Sequence, residues 1–225
     1  MSTVASEDTA TPRSKRRQTR ERSRQRIVEA ANELVRERSA ADLNIGEIMD
    51  RAGIGRTLFY RHFDDLGDLL MRVGREAMDE LYDAQVALAQ ARVEPTPEAV
   101  RAAMEPAVDV YRRHGPLLRA LNEAAVVDPL VLERTDQLRE RFGRLIEDMI
   151  RRATELGAVP VPDPAETALA LTLLNEAYLL DAFGHGPRID PAVATDTLAD
   201  IWLGFVLRRW GSMSAGSTRP PHRAP

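Results

Sequence analysis

One stretch of the sequence, residues 44–63, constrains the fold more than any other, because two short amphipathic segments meet there at closely spaced glycines. In the first segment Asn44 precedes Glu47 by three residues, the spacing of a capping box at the start of a helix. The apolar residues of this segment form one stripe at helical spacing: Ile45, Ile48 and Met49. Gly53 then ends the predicted helix, since glycine readily adopts the left-handed conformation found just past a helix end.

The second segment begins near Gly55 and has two chemically different sides. At about 100° per residue, Phe59 and Phe63 share one side, which predicts packing against a core. A continuous opposite arc holds the polar residues Arg56, Thr57, Tyr60 and Arg61. This arc suits contacts with phosphates and bases, so the stretch predicts a helix-turn-helix. Periodicity alone leaves open a purely structural helix pair that shares a glycine turn.

The charge distribution favours a polyanion as partner of the N-terminal part. The formal net charge is -4, but residues 1–75 carry 15 Lys and Arg against 12 Asp and Glu, whereas the remainder is acidic. Residues 13–26 contain one glutamate, Glu21, and eight basic residues: Arg13, Lys15, Arg16, Arg17, Arg20, Arg22, Arg24 and Arg26. Such a run suits nucleic acid, although a charge run by itself is equally typical of a solvated tail.

The remainder of the chain predicts helices only, so the fold class is all-α. An amphipathic helix is expected from Thr19 to Arg38 and a long one from about 66 to 91, capped by Asp64 or Asp65. Further helices are expected at 97–113, 116–127, 129–156, 164–183 and 191–210, between glycine and proline breaks. The predicted domains are a disordered basic arm at 1–18, a helix-turn-helix domain at 19–65, a helical ligand-binding and dimerisation domain at 66–211, and a disordered tail at 212–225.

Composition excludes several functions. The sequence has no cysteine, which rules out disulfides, thiolate catalysis and cysteine metal sites. No apolar run reaches the roughly 18 residues of a membrane span, and the N-terminus lacks a secretory signal, so a cytoplasmic protein is expected. The histidines are scattered and no nucleotide or hydrolase motif is present, which argues against an enzyme. His62 with Asp64 and Asp65 could bind a metal, but DNA contact and helix capping fit their position better; we therefore expect no metal and no cofactor.

The run Gly53-Ile-Gly-Arg-Thr-Leu-Phe-Tyr-Arg-His-Phe63, followed by a long helix and an all-helical remainder, resembles the DNA-binding domain of TetR-family regulators. The resemblance implies that DNA contacts come from the start of the first motif helix and the exposed arc of the second: Asn44, Ile45, Arg56, Thr57, Leu58, Tyr60, Arg61 and His62. Three places depart from the family pattern. Gly55 and Leu58 stand where relatives have Ser and Thr, and Asp64–Asp68 is acidic where relatives place a phosphate-binding lysine.

The C-terminal region resembles, less strongly, the TetR subgroup that contains the mycobacterial ethionamide-resistance regulator, on residues 168–176 and 196–202. That resemblance implies an apolar channel in each subunit. Thr172 and Asn175 lie on one face of an apolar helix, where the amide needs a partner; a ligand carbonyl and a neighbouring helix are the two alternatives. The expected wall residues are Met104, Ala107, Tyr111, Phe142, Leu145, Ile146, Thr172, Asn175 and Trp202.

The last two predicted helices are very apolar, which implies a partner surface. Their apolar positions include Leu169, Leu173, Ala177, Leu180, Leu198, Ile201 and Phe205. In the resembled family the equivalent pair forms the dimer interface. The resulting hypothesis is a homodimeric regulator that acts as a repressor of a palindromic operator and is released by a small hydrophobic effector. Two alternatives remain: a DNA-binding regulator without a small ligand, and a helical module with a vestigial helix-turn-helix.

Overall fold

The computed structural model describes residues 12–90, 96–155 and 160–210, and this part of the chain is helical with no β-strand. The all-α prediction is therefore confirmed. Its seven α-helices are α1 (Pro12–Glu37), α2 (Ile45–Ala52), α3 (Leu66–Gln90), α4 (Pro97–Ala125), α5 (Pro129–Glu155), α6 (Pro164–Phe183) and α7 (Pro191–Trp210). Short 3-10 helices occupy Ala40–Asp42 and Arg56–Arg61; we call the second the recognition helix.

Helix α1 begins seven residues earlier than predicted, at Pro12 instead of Thr19. The prediction of a disordered arm is therefore wrong for residues 12–18. Proline suits the first turn of a helix, and the Arg, Lys and Gln residues that follow are good helix formers, so local preference outweighs the lack of apolar periodicity. The rest of the predicted arm and the predicted tail at 212–225 lie outside the described residues.

Helix α4 is continuous from Pro97 to Ala125, although two helices with a break at His114-Gly-Pro were predicted. Pro106 and Pro116 both lie inside it. Close packing explains the buried glycine at position 115, because a Cβ atom there would lie 2.4 Å from the carbonyl oxygen of Phe183. The glycine therefore allows α4 to approach the end of α6 closely, and tertiary packing overrides the two helix-breaking residues.

Two apolar cores fill the described part of the protein. The N-terminal core joins α1, α2 and the recognition helix to the start of α3, and it also takes in Leu117, Leu121 and Ala124 of α4. The C-terminal core lies between α3, α4, α5, α6 and α7 and includes Phe142, Phe183 and Trp202. Helices α3 and α4 each contribute residues to both cores, so these two helices connect the helix-turn-helix to the helical bundle. No helix in the described ranges combines the length and apolar character that a bilayer crossing requires.

Candidate DNA-binding surface and internal cavity

Helix α2 starts and stops where the sequence predicts. The Asn44 side chain accepts a hydrogen bond from the Glu47 backbone amide at 2.9 Å and so caps the helix. Gly53 has φ +62° and ψ +39°, the left-handed conformation that other residues rarely adopt. A Cβ atom at Gly53 would also lie 2.8 Å from a guanidinium nitrogen of Arg26. The arginine side chain could move away from such a Cβ atom, so it is the left-handed conformation that favours glycine at this turn.

The recognition helix is a 3-10 helix, which corrects the α-helical geometry assumed for it. The Leu58 amide donates to the Gly55 carbonyl and the His62 amide to the Phe59 carbonyl, both three residues apart. Phe59 and Phe63 are nevertheless buried as predicted, with ring centroids 5.5 Å apart. These two rings anchor the segment, so its other side faces solvent.

The solvent-facing side of the recognition helix carries the polar arc. Arg56, Thr57, Tyr60 and Arg61 are all exposed, and Tyr60 has 61% of its surface accessible although it is aromatic. An exposed tyrosine flanked by arginines is the composition expected of a surface that contacts a polyanion. The structure therefore brings these four predicted residues together on one accessible surface.

The other four predicted DNA residues are less uniform. Asn44 is exposed at the start of α2, but its side-chain oxygen already accepts the capping bond. Ile45 and Leu58 are partly buried against the N-terminal core. Burial, followed by the positive charges of Arg20 and Arg24, lowers the pKa of His62 below its usual 6.5. His62 is therefore neutral at pH 7, so it can hydrogen-bond DNA but does not supply a charge there.

Helix α1 flanks the motif with arginines whose role the sequence did not specify. Arg20 donates a hydrogen bond to the backbone carbonyl of Arg61 at 3.1 Å, and Arg26 donates to that of Gly53 at 3.4 Å. Arg20 is exposed and holds the end of the recognition helix, so it adds positive charge beside the polar arc. The basic composition of α1 was visible in the sequence, whereas these two contacts depend on the fold.

The start of α3 is an acidic cap. The Asp68 amide donates to the Asp65 carboxylate at 2.7 Å, and the Asp64 amide donates to the Asp68 carboxylate at 3.3 Å. The first bond satisfies a free amide in the first turn of the helix, and the second fixes the residue just before the cap. Asp65, one of the two predicted caps, is the residue that performs this function. The same carboxylates put negative charge beside the recognition helix, where it opposes phosphate binding.

A cavity of about 90 Å³ lies inside the helical bundle. Seven of the nine predicted wall residues line it: Met104, Ala107, Tyr111, Phe142, Ile146, Thr172 and Asn175. Leu145 is not among the lining residues, because Phe142 and Ile146 occupy the inward positions of α5. Trp202 does not line the cavity either, but its indole Nε1 donates to the Asn175 side-chain oxygen at 3.2 Å.

Two polar groups at the cavity are available to hydrogen-bond a ligand. Within the described part of the chain, neither the Tyr111 hydroxyl nor the Asn175 amide nitrogen has a hydrogen-bond partner. Every fully buried side-chain nitrogen or oxygen atom of the described residues does have a partner, so these two atoms are not fully buried. Both residues line the cavity, from which the two atoms are accessible. Burial and then the charge of Glu176 raise the pKa of Tyr111, so its hydroxyl stays protonated. The Thr172 hydroxyl instead donates to the Ala168 carbonyl at 2.8 Å.

One end of the cavity carries charge that the sequence analysis missed. Arg139 of α5 donates to both carboxylate oxygens of Glu176 of α6, at 3.0 and 3.1 Å, and also pairs with Asp136. Asn122 of α4 donates to Glu176 at 3.2 Å. The position of Glu176 directly after Asn175 in an apolar helix was a signal for this cluster. The partner Arg139 could not be assigned without the fold.

The outer surfaces of α6 and α7 expose several large apolar side chains. Leu169, Leu173, Leu174 and Ile201 are each between 38% and 45% accessible. Leu198, which was counted with this apolar face in the sequence, is 1% accessible and belongs to the C-terminal core of the subunit. The side chain of Phe205 lies outside the described residues. The exposed apolar surface is therefore formed mainly by α6, with Val193 and Ile201 of α7 beside it.

Comparison with known proteins agrees with this division of the chain. Residues 27–73 match the model of bacterial regulatory proteins of the tetR family, and residues 100–207 match the C-terminal domain of the transcriptional regulator EthR. The chain is similar to the HTH-type transcriptional regulator EthR of Mycobacterium tuberculosis, with 26% identity over 208 residues, 90% of this chain and 96% of the relative.

Solved structures share the fold. PfmR, a TetR-family regulator from Thermus thermophilus, superimposes with a TM-score of 0.66 at 20% identity, covering 79% of this chain and 97% of PfmR. AibR in complex with isovaleryl coenzyme A and operator DNA superimposes with a TM-score of 0.62 at 19% identity, covering 80% and 97%.

The helix-turn-helix, its exposed polar arc and the helical bundle with its cavity define a DNA-binding transcriptional regulator. The chain belongs to the TetR family, and its C-terminal domain is of the EthR type.

Proposed function

We propose that this chain is a homodimeric repressor that leaves its operator when a small, largely apolar molecule enters the cavity. We assign DNA binding to residues 19–65, and effector binding and dimerisation to residues 66–211. The observation that carries the proposal is the cavity in the bundle, where apolar walls enclose the Tyr111 hydroxyl and the Asn175 amide. Polar groups without partners in an apolar site are the usual means of orienting a bound ligand.

The effector would have to enlarge the cavity. A volume of about 90 Å³ is well below the roughly 300 Å³ of a small-molecule site. Met78 and Met104 line the cavity, and methionine side chains change shape more easily than branched ones. Entry of a ligand would therefore push α4, α5 and α6 apart, and release from DNA follows if the ligand prefers this expanded state. The complex of AibR with isovaleryl coenzyme A is a precedent for a ligand-bound regulator with this fold.

Operator binding is assigned to the polar arc of the recognition helix. Arginine can donate two hydrogen bonds to guanine, whereas threonine and tyrosine more often bind phosphates. We therefore assign base contacts to Arg56 and Arg61 and phosphate contacts to Thr57 and Tyr60. Arg20 would supply a further phosphate contact, in place of the cation that the acidic start of α3 lacks.

A dimer through α6 and α7 is expected to come apart when its apolar surface is charged. In the double variant Leu169→Glu/Leu173→Glu, two carboxylates one helical turn apart would face their copies across the interface, where desolvation is costly. Light scattering after gel filtration should then change from twice the chain mass of 25.1 kDa to the single mass.

The matched control for the interface is Leu132→Glu on α5, where a leucine is similarly exposed, at 45%. This variant should remain dimeric. A monomeric wild-type protein, or a double variant that stays dimeric, would overturn the assignment of this surface.

Filling the cavity with a side chain should imitate the effector. In Ala107→Phe an aromatic ring enters the cavity from α4 and should force the bundle towards the expanded state. We expect affinity for a palindromic duplex, selected from a random pool at low salt, to fall by about fivefold or more, the usual size of an allosteric coupling. Fluorescence anisotropy of the labelled duplex measures the affinity.

Ala102→Phe is the control, because Ala102 lies on the same helix but is exposed. It should bind the duplex like the wild type, and both variants should melt cooperatively. If wild type selects no duplex, the regulator hypothesis fails. If Ala107→Phe folds and binds with unchanged affinity, the small volume of the cavity favours the second candidate, a DNA-binding regulator without a small-molecule effector.

A further inference from the structure

The guanidinium of Arg119, near the C-terminal end of α4, binds the ends of two other helices and a carboxylate on α4 itself. Its Nε donates to the carbonyl of Gly184 at 2.9 Å, just past the end of α6. One Nη donates to the carbonyls of Val35 and Arg38, at 3.1 and 2.9 Å, at the end of α1. The other Nη donates to the Glu123 carboxylate at 2.7 Å. Only 13% of the Arg119 side chain is accessible.

These contacts place one cation at the C-terminal ends of two helices. The last carbonyls of a helix have no partner within the helix, and the helix dipole puts partial negative charge there. Helix α1 belongs to the N-terminal core and α6 to the C-terminal core. A single planar guanidinium can satisfy both ends because its donors point in fixed, divergent directions. A lysine in its place would carry the charge but could not hold both helix ends in this geometry.

Glu123 fixes the guanidinium and extends the contact to the motif. Its second carboxylate oxygen accepts from the Ser39 hydroxyl at 2.6 Å and from the Ala40 amide at 2.8 Å. Burial alone would raise the pKa of Glu123, but the hydrogen bonds that it accepts outweigh burial and lower it. The ion pair between Arg119 and Glu123 therefore stays charged at neutral pH and sits where α1 connects to α2.

The contacts of Arg119 and Glu123 with the ends of α1 and α6 form a junction, and each side of it is close in the chain to a proposed functional surface. On one side, Asn175 of the cavity wall lies nine residues before Gly184 on α6, about 13 Å along the helix axis. On the other side, the Arg38 side chain pairs with Glu47 at 2.8 Å, and Glu47 is bonded to the capping residue Asn44. The backbone of α6, the contacts of Arg119 and the pair of Arg38 with Glu47 thus connect the cavity wall to the first residue of the DNA-binding motif.

We infer that Arg119 is the positioning residue that couples the cavity to the DNA-binding surface, by holding the ends of α1 and α6 in one fixed arrangement. Displacement of α6 by an effector withdraws the Gly184 carbonyl, and α1 loses its fixed position against the bundle. This inference rests on the proposed effector response and adds the route by which that response reaches the DNA.

Coupling between two sites is reciprocal, so DNA binding must change the end of α6. Three amides report on this segment: Gly184, Gly186 and Arg188 donate to the carbonyls of Leu180, Phe183 and Ala182. Hydrogen exchange of the full chain, free and saturated with the selected duplex, measures their opening. In the wild type we expect the duplex to slow exchange of these amides by about fivefold or more.

Arg119→Lys should abolish this slowing while it still binds DNA and melts cooperatively; Arg119→Gln serves if the lysine variant does not fold. Arg113→Lys is the control, because Arg113 lies on α4 and pairs with Glu80 and Asp109 away from the junction. It should respond like the wild type. Equal slowing in the Arg119 variants overturns the inference, as does a wild type that binds the duplex without any slowing. A wild type that binds no duplex overturns the proposed function itself.

Discussion

Replacing Arg56 and Tyr60 together with alanine is expected to lower operator affinity by at least about a hundredfold, because a specific arginine contact contributes roughly 1 to 3 kcal/mol and every 1.4 kcal/mol is about tenfold. Both side chains are exposed on the recognition helix, so neither substitution removes a buried contact. The fold and the dimer should therefore be unchanged. Anisotropy titrations with the selected duplex measure the loss.

The two single variants separate the roles of these residues. Arg56→Ala should relax sequence preference at one position of each half-site, whereas Tyr60→Ala should weaken binding to all sequences alike. Arg144→Ala is the matched control: Arg144 is 64% exposed on α5 and pairs with Glu140, far along the chain from the motif. An unchanged affinity of the double variant would show that DNA binds elsewhere on the protein.

Gly115→Ala is expected to lower the free energy of unfolding by about 2 kcal/mol, since overpacking a close contact typically costs 1 to 3 kcal/mol. The new Cβ would lie 2.4 Å from the Phe183 carbonyl oxygen and 2.7 Å from its carbon, both backbone atoms. Neither atom can move without moving the end of α6. The loss should exceed the gain in helix propensity that alanine brings. Chemical denaturation of the full-length protein measures the difference.

Gly143→Ala gives the opposite expectation with the same chemical change. Gly143 lies inside α5, and a Cβ atom there would meet nothing within 4 Å. The substitution should therefore raise the free energy of unfolding by about 0.5 to 1 kcal/mol. If Gly115→Ala is stabilised as well as Gly143→Ala, α4 does not approach the end of α6 as closely as described.

Local chemistry explains what could be predicted about the motif. Asn44, Gly53, Phe59 and Phe63 act through capping, a left-handed turn and residue spacing, and each of these depends on neighbours within a few residues. The polar arc followed from the same spacing, and its exposure agrees with the prediction. The 3-10 geometry of the recognition helix was not predictable, because three-residue and four-residue hydrogen bonds suit the same short sequence.

Longer-range contacts explain where the sequence analysis was wrong or incomplete. The break expected at His114-Gly-Pro is absent. Gly115 is instead the position where α4 packs closely against the backbone of Phe183, a residue far away in the chain. Leu198 was assigned to an outer surface but is buried in the core, because α7 packs its inner face on α4. Periodicity shows that a helix has an apolar side; it does not show which neighbour covers that side.

The sequence by itself determined the all-α fold and the helix-turn-helix, because residue spacing decides which side chains share a helix face. The expected cavity wall came from the family resemblance, and only the shared face of Thr172 and Asn175 came from spacing. Only the tertiary structure decided which charges meet. Arg139 faces Glu176, and Arg119 joins the ends of α1 and α6, across separations of 37 to 84 residues. Such pairs follow from helix packing, since a guanidinium binds whichever carbonyl or carboxylate the fold brings within about 3 Å.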